Sequence, residues 1–248
     1  MIVLKSEKEI ESIHESCHIV YRTLKLIEQN VHPGVTSQDL NTMAEEFIIQ
    51  CGGRPAFKGF HGFPASICVS IDDEVVHGIP GNRKLQEGQI VSIDVGVEKA
   101  GYYGDGAETF CVEPVSQEKS ELLTVTRDAL FEGISQAREG NRLSDISWSI
   151  QSFVERHGYS VVRALVGHGI GKAMHEEPQV PNFGSPGSGP VLKAGMTLAI
   201  EPMVNAGGFE VETQDDNWTV VTKDGSASAH FEHTIVITRE GPRILTDS

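Results

Sequence analysis

The stretch from Ile90 to Val112 constrains this chain more than any other, because it sets two carboxylates inside an otherwise apolar β-hairpin. Ile90, Val91, Ile93, Val95 and Val97 are strand formers, and the run breaks at a turn between Glu98 and Gly101. Tyr102, Tyr103, Ala107, Phe110 and Val112 read as the returning strand. A loop at Lys99 and Ala100 pairs Val97 with Tyr102 and Asp94 with Asp105, which puts two like charges about 5 Å apart on one face. A bulge at Gly104 or Gly106 would shift that register. A divalent cation between the carboxylates removes their repulsion, since hard oxygen donors are what such ions bind. The alternative is a pair of solvated carboxylates on an edge hairpin.

The rest of the chain is ordinary in bulk. At 248 residues, 39% hydrophobic and 22% charged, it is long enough to bury a sizeable core. A net charge of −15 argues against general affinity for nucleic acid or an anionic membrane, and no nucleic-acid-binding motif is present. No apolar run reaches the length of a membrane span, and the first ten residues lack the apolar centre of a signal peptide. Cys17, Cys51, Cys68 and Cys111 show no CxxC spacing, so reduced thiols and a cytoplasmic location are expected.

Ser6 and Glu9 form a capping-box pattern ahead of an amphipathic helix carrying Ile10, Ile13, Cys17, Val20, Leu24 and Ile27. A second helix starts near Thr36 or Ser37 and stops at Gly52-Gly53. The following region is rich in Gly and Pro and holds Phe57, Phe60, His61 and Phe63, which serve either as loop anchors or as pocket walls. Ser66–Ile71 reads as a strand, Glu118 to about Glu139 and Leu143–His157 as helices. Later strands are expected at Val161–Leu165, Thr197–Val204, Trp218–Thr222 and Phe231–Thr238.

The two halves resemble each other. Ungapped, the segment from Pro33 matches the segment from Glu139, with Gly34 on Gly140, Asp39 on Asp145, Phe47 on Phe153 and Gly52 on Gly158. The segment from Leu85 likewise matches that from Leu192, setting Asp94 on Glu201. A single α+β domain over 1–248 is expected, with related halves of roughly 1–115 and 116–248. By that symmetry Asp94 and Asp105 come from one half, and Glu201 and Glu232 from the other. Four carboxylates beside apolar strands are unstable unless neutralised. Two divalent ions would balance them, as in a dinuclear hydrolytic centre. His168, flanked by glycines, is the best candidate for a nitrogen ligand. His175-Glu176-Glu177-Pro178 is not a zincin motif, because position 179 is Gln.

The motifs VVHGIP, SIDVG, YYGD, GHGIG, MHEEPQVPNFG, AIEPM and HFEHTIVIT occur in one order across Ser6–Leu245. In that order and spacing the chain closely resembles the methionine aminopeptidases of the short bacterial type I form. The resemblance implies the pita-bread fold, two pseudo-symmetric halves with an antiparallel sheet flanked by helices. It implies that Asp94, Asp105, His168, Glu201 and Glu232 ligate two divalent ions of Co, Mn, Fe or Zn, Asp105 and Glu232 bridging them. It implies Glu201 as general base, His175 as hydrogen-bond donor to the carbonyl oxygen, and His77 as the imidazole at the scissile nitrogen. The methionine pocket would be Phe57, Phe60, Phe63, Cys68, Met174 and Trp218, with His61 close by.

The implied activity is removal of the N-terminal methionine from nascent proteins, near the ribosome, by a monomer that prefers a small second residue. Departures fall in the pocket. The family often has tyrosines where Phe60 and Phe63 stand, cysteine at Phe57, an aromatic at Met174 and, in some members, threonine at Gly96. The competing expectations are a proline-directed aminopeptidase or dipeptidase of the same fold, and a metal-free relative that only binds peptides.

Overall fold

Each helix begins where a side chain takes up backbone amides that the first turn leaves free. In the computed structural model, which describes residues 1–247, α1 (Glu7–Glu28) starts with a reciprocal box between Ser6 and Glu9. α2 (Ser37–Gln50) uses Thr36 and Asp39 in the same way, and Ser116 caps α3 (Gln117–Gln136). At α4 (Leu143–Arg156) the Asp145 carboxylate accepts from the Arg142 amide at 2.8 Å.

In chain order the strands are β1 (Arg54–Pro55), β2 (Cys68–Ile71), β3 (Glu74–Val76), β4 (Ile90–Lys99), β5 (Tyr102–Cys111), β6 (Ser160–Val161), β7 (Val166–Gly169) and β8 (Glu176–Pro181). They continue as β9 (Thr197–Ile200), β10 (Met203–Asn205), β11 (Val211–Thr213), β12 (Val220–Thr222), β13 (Ser228–His230), β14 (Glu232–Ile237) and β15 (Pro242–Ile244). The main sheet has the order β1-β4-β5-β14-β9-β7-β8, with β2 also on β4 and β15 also on β14. Its pairings are antiparallel. Two three-stranded sheets, β13-β10-β6 and β11-β12-β3, flank it.

Alternation along the strands splits the sheet into two faces. Val91, Ile93, Val95 and Val97 of β4 pack with Ile19, Val20 and Leu24 of α1 and Leu40, Ala44 and Ile48 of α2. Leu198, Ile200, Ile235 and Ile237 pack with residues of α3 and α4 such as Leu130, Ile146 and Ile150. Each fully buried Ile or Leu there contributes roughly 1.5–3 kcal/mol. Where α1 crosses β5, a Cβ at position 104 would lie 2.6 Å from the Cys17 amide nitrogen, so only glycine lets the two backbones approach.

Several sequence expectations are corrected. The hairpin turns at Ala100-Gly101, both at positive φ (53° and 82°), rather than at Lys99-Ala100. Lys99 therefore pairs with Tyr102, and Asp94 pairs with Ala107, not with Asp105. The two-residue turn with both φ positive matches strand twist, and a non-glycine residue accepts the cost at its first position. The expected strand Thr197–Val204 is two strands, interrupted at Glu201-Pro202, where Pro202 has no amide to donate. Val161–Leu165 is likewise not one strand: β6 ends at Val161, and β7, which holds His168, starts only at Val166. β8, directly after His175, was not expected, and β12 starts at Val220 rather than Trp218. All four cysteines are free thiols.

Candidate metal centre and the pocket beside it

In the main sheet β4, β5, β14 and β7 each bring one donor to the same face, and the residue that follows β9 brings a fifth. Asp94 pairs with Ala107, and Ala107 pairs onward with Glu232, so these three share a face. Asp105 is two residues from Ala107, opposite Gly96, and shares it too. Across β14, Thr234 pairs with Ala199, which pairs with His168. Glu201 is two residues beyond Ala199, at the point where Pro202 ends β9. The corrected register thus leaves Asp94 and Asp105 as diagonal neighbours on one face instead of an opposed pair.

The donors converge. Ligand atoms of Asp105, His168 and Glu232 lie within 4.8 Å of one another. His168 Nε2 is 3.7 Å from Asp105 Oδ2 and 3.6 Å from Glu201 Oε1. His168 Nδ1 is 3.0 Å from the Gly169 carbonyl oxygen. Donation there fixes the tautomer and turns the Nε2 lone pair toward the carboxylates. The Asp105 backbone is clamped by Thr234, whose hydroxyl donates to the Asp105 carbonyl at 2.8 Å. Asn182 donates to the Glu201 carbonyl at 2.9 Å.

The electrostatics of the bare protein oppose charge on every one of these groups. Burial, and then repulsion from Asp105, pushes Asp94 well above the carboxylate range. Burial raises Asp105 to about 8. Glu201 and Glu232 are pushed well up by burial first and by neighbouring carboxylates second. Burial lowers His168 to about 4. Asp94 Oδ1, Glu232 Oε1 and His230 Nε2 are buried with no hydrogen-bond partner. Unsatisfied oxygen and imidazole donors facing one another are the donor set that a divalent ion completes.

The same donors form one wall of a cavity of about 330 Å³, and the expected pocket residues form the other. Phe63 meets Trp218 edge-to-face at 5.1 Å, and Phe60 meets His175 at 5.3 Å. Asp216 accepts from the Trp218 and Thr219 amides, which fixes the indole ahead of β12. Cys68 and Phe63 are buried, Phe57 is partly buried, and His61 is exposed beside the Phe60 ring. Met174 is 2% exposed. A Cβ at Gly96 would lie 2.5 Å from Phe57 Cε1 and 2.8 Å from Met174 Cε, so the glycine opposite Asp105 makes room for both side chains.

His77 sits at the cavity edge with φ of 60°, a conformation rare for a side-chain-bearing residue. Its neighbour Gly78 is locked to β2, accepting from the Val69 amide at 2.9 Å. His175 stacks edge-on against His168 at 4.3 Å, and burial, then His168 and His61, lowers it to about 4. Burial also lowers His77.

Comparison with known proteins now fits this geometry to a family. The sequence pattern of metallopeptidase family M24 matches residues 11–239, and the chain belongs to that family. It is 52% identical over 246 residues to the methionine aminopeptidase of Clostridium perfringens, covering 99% of each chain. It is 50% identical over 246 residues to methionine aminopeptidase 1 of Bacillus subtilis, again 99% of each. The crystal structure of the methionine aminopeptidase from Thermotoga maritima superposes over 100% of both chains with a TM-score of 0.99 and 46% identity. Prolidase from Pyrococcus furiosus matches 99% of this chain and 66% of its own at a TM-score of 0.82 and 21% identity, which speaks to the fold alone. The α+β pita-bread architecture is common to these structures.

Sequence reasoning passed over His230. It is 2% exposed, lines the cavity, and its Nε2 lies 3.9 Å from Glu201 Oε2. The available signal was position: His230 stands two residues before Glu232, the spacing that returns a side chain to the same side of an extended chain.

Proposed function

We propose that this chain removes the N-terminal methionine from nascent proteins and peptides by metal-assisted hydrolysis, preferring a small second residue. The observation that supports it best is the shared cavity: five convergent donors on one side, and an aromatic and sulfur-lined slot on the other. Asp94, Asp105, His168, Glu201 and Glu232 would hold two divalent ions of Co, Mn, Fe or Zn, with Asp105 and Glu232 shared between them. Such ions supply Lewis acidity and ionised water at neutral pH.

The chain's own residues do the rest. The slot of Phe57, Phe60, Phe63, Cys68, Met174 and Trp218 takes a thioether side chain and excludes longer ones sterically. His175 donates a hydrogen bond to the scissile carbonyl oxygen as negative charge grows there. His77 contacts the scissile nitrogen and assists departure of the amine. Glu201 accepts the proton of the attacking water. His61, exposed beside the Phe60 ring, lies close to the slot.

The reading extends to organisation. One domain over 1–248 with related halves is supported by α2 and α4, whose ends lie 106 residues apart, Ser37 against Leu143 and Gln50 against Arg156. Gly34 and Gly140, and Gly52 and Gly158, repeat the spacing at matching positive φ. Among the described residues no helix is long and apolar enough to cross a membrane. A cytoplasmic monomer working on chains near the ribosome is the setting we propose.

Incubating the protein with Met-Ala-Ser and with X-Pro peptides, with and without a chelator, tests this. Methionine release that the chelator stops is expected. Cleavage before proline would assign a proline-directed peptidase, and no cleavage of either a peptide-binding relative.

A further inference from the structure

Resting on the role given above to His175, we propose that Lys5 and Glu176 form a positioning latch, in which the N-terminal segment sets the loop that carries Met174 and His175. The loop runs from Ile170 to His175, between β7 and β8. Glu176, the first residue of β8, folds its carboxylate back over the loop. Its Oε1 accepts from the Lys172 amide at 2.8 Å and the Ala173 amide at 3.2 Å. Its Oε2 is 2.5 Å from Lys5 Nζ. The two side chains are 4% and 16% exposed. Lys5 is 167 residues upstream of the first residue it steadies in the loop, Lys172, so no local propensity explains the contact.

Three further observations place the lysine as part of the site's framework. Lys5 is itself fixed, its amide donating to Gly195 O at 2.7 Å and its ammonium to Val3 O at 3.1 Å. The loop backbone lies directly on the pair: a Cβ at Gly171 would be 2.5 Å from Lys5 Cε and 2.7 Å from Glu176 Oε1. On its other side Gly171 O accepts from the Tyr103 amide at 2.8 Å, tying the loop to β5, two residues from Asp105. A carboxylate so largely shielded from water can hold two loop amides only while its charge is balanced. Without the ammonium it turns toward water and releases both amides. His175 then loses its place beside His168, and an error of about 1 Å in such a group costs on the order of 100-fold in rate.

Lys5→Met tests this, because it keeps the aliphatic stem against Gly171 and removes the ammonium. The expected result is a fall in kcat on Met-Ala-Ser of on the order of 30-fold or more, with Lys5→Arg within about threefold of the parent. In a His175→Ala background the same Lys5→Met change should lower kcat by less than about threefold, since the group it positions is gone. Hydrogen exchange at the Lys172 and Ala173 amides should speed up in Lys5→Met protein. Glu176→Gln supplies the same readouts if Lys5→Met is too unstable to purify. An equal loss in both backgrounds, or unchanged exchange at the two amides, would overturn the latch. If His175→Ala alone leaves kcat intact, the role of His175 falls instead, and the amide exchange still decides whether the latch exists.

Discussion

Gly96 and Phe57 meet where no β-carbon fits: one built on Gly96 lies 2.5 Å from Phe57 Cε1. The small residue and the large ring are therefore one feature, and Met174, whose Cε is 2.8 Å from the same point, completes it. Gly96→Ala should force the ring and the thioether into the slot. Overpacking of this kind costs about 1–3 kcal/mol of stability. The kinetic effect should be larger on a long first residue than a short one. Steady-state rates on peptides beginning with methionine and with norvaline check it, with kcat/KM for methionine falling on the order of tenfold and the ratio moving toward norvaline. An unchanged ratio would show that this wall does not set the slot's depth.

Asp105 takes part in the closest group of donors, with His168 and Glu232. Asp105→Asn should reduce turnover by on the order of 1,000-fold or more. It should also remove the stabilisation, read as a rise in Tm, that added Mn gives the parent and that at a hundredfold excess over Kd amounts to about 2.7 kcal/mol. Near-normal turnover and a normal shift in Tm would overturn the ligand set.

The pH dependence of the metal-free protein follows from opposing shifts. Burial raises the folded Asp105 carboxyl to about 8 from its ordinary 3.8. Between those limits the unfolded chain binds fewer protons, so stability falls as pH rises. His168 is lowered to about 4 from 6.5, so below pH 6.5 the unfolded chain binds the extra proton and stability rises with pH. Above 6.5 only the carboxyl effect remains. Thermal melts of chelated protein should show Tm dropping from pH 6.5 to 8, as stability falls by up to about 1.4 kcal/mol per pH unit for each such carboxyl. Added divalent ion should stabilise most at the alkaline end, where binding displaces fewest protons. A chelated protein whose Tm rises over this interval would contradict the burial of the carboxyls.

His175→Ala should lower kcat by on the order of 100- to 1,000-fold while changing KM little, as expected for a donor whose bond strengthens in the transition state. Initial rates over a range of Met-Ala-Ser concentrations separate the two. A pure KM effect would make His175 a binding residue only.

The sequence announced the donors because carboxylates inside apolar strands have no cheap structural explanation. Asp94 beside Ile93 and Glu201 beside Ile200 are visible as anomalies in any chain. Helix ends were legible for a similar reason: Ser6-Glu9 and Thr36-Asp39 write their caps in residues only a few positions apart. What escaped was set at a distance. Ala100 at positive φ is not written in the residue type, so the hairpin was read with its turn one residue early, although the even shift in pairing kept both acids on one face. His230 reads as one more histidine until β13 is seen to bring it against Glu201. Lys5 reads as a solvated charge until the fold closes over it.

Because β4, β5, β14 and β7 contribute one donor apiece and the residue after β9 a fifth, the centre records the alignment of these five strands. A slip of one residue in any of these strands would carry its donor through to the side where α1–α4 pack. A partly formed sheet therefore has an incomplete centre, and ion affinity becomes a count of strands correctly seated. Titrating refolding protein with a divalent ion would reveal the last strand to dock as the step at which binding first becomes tight.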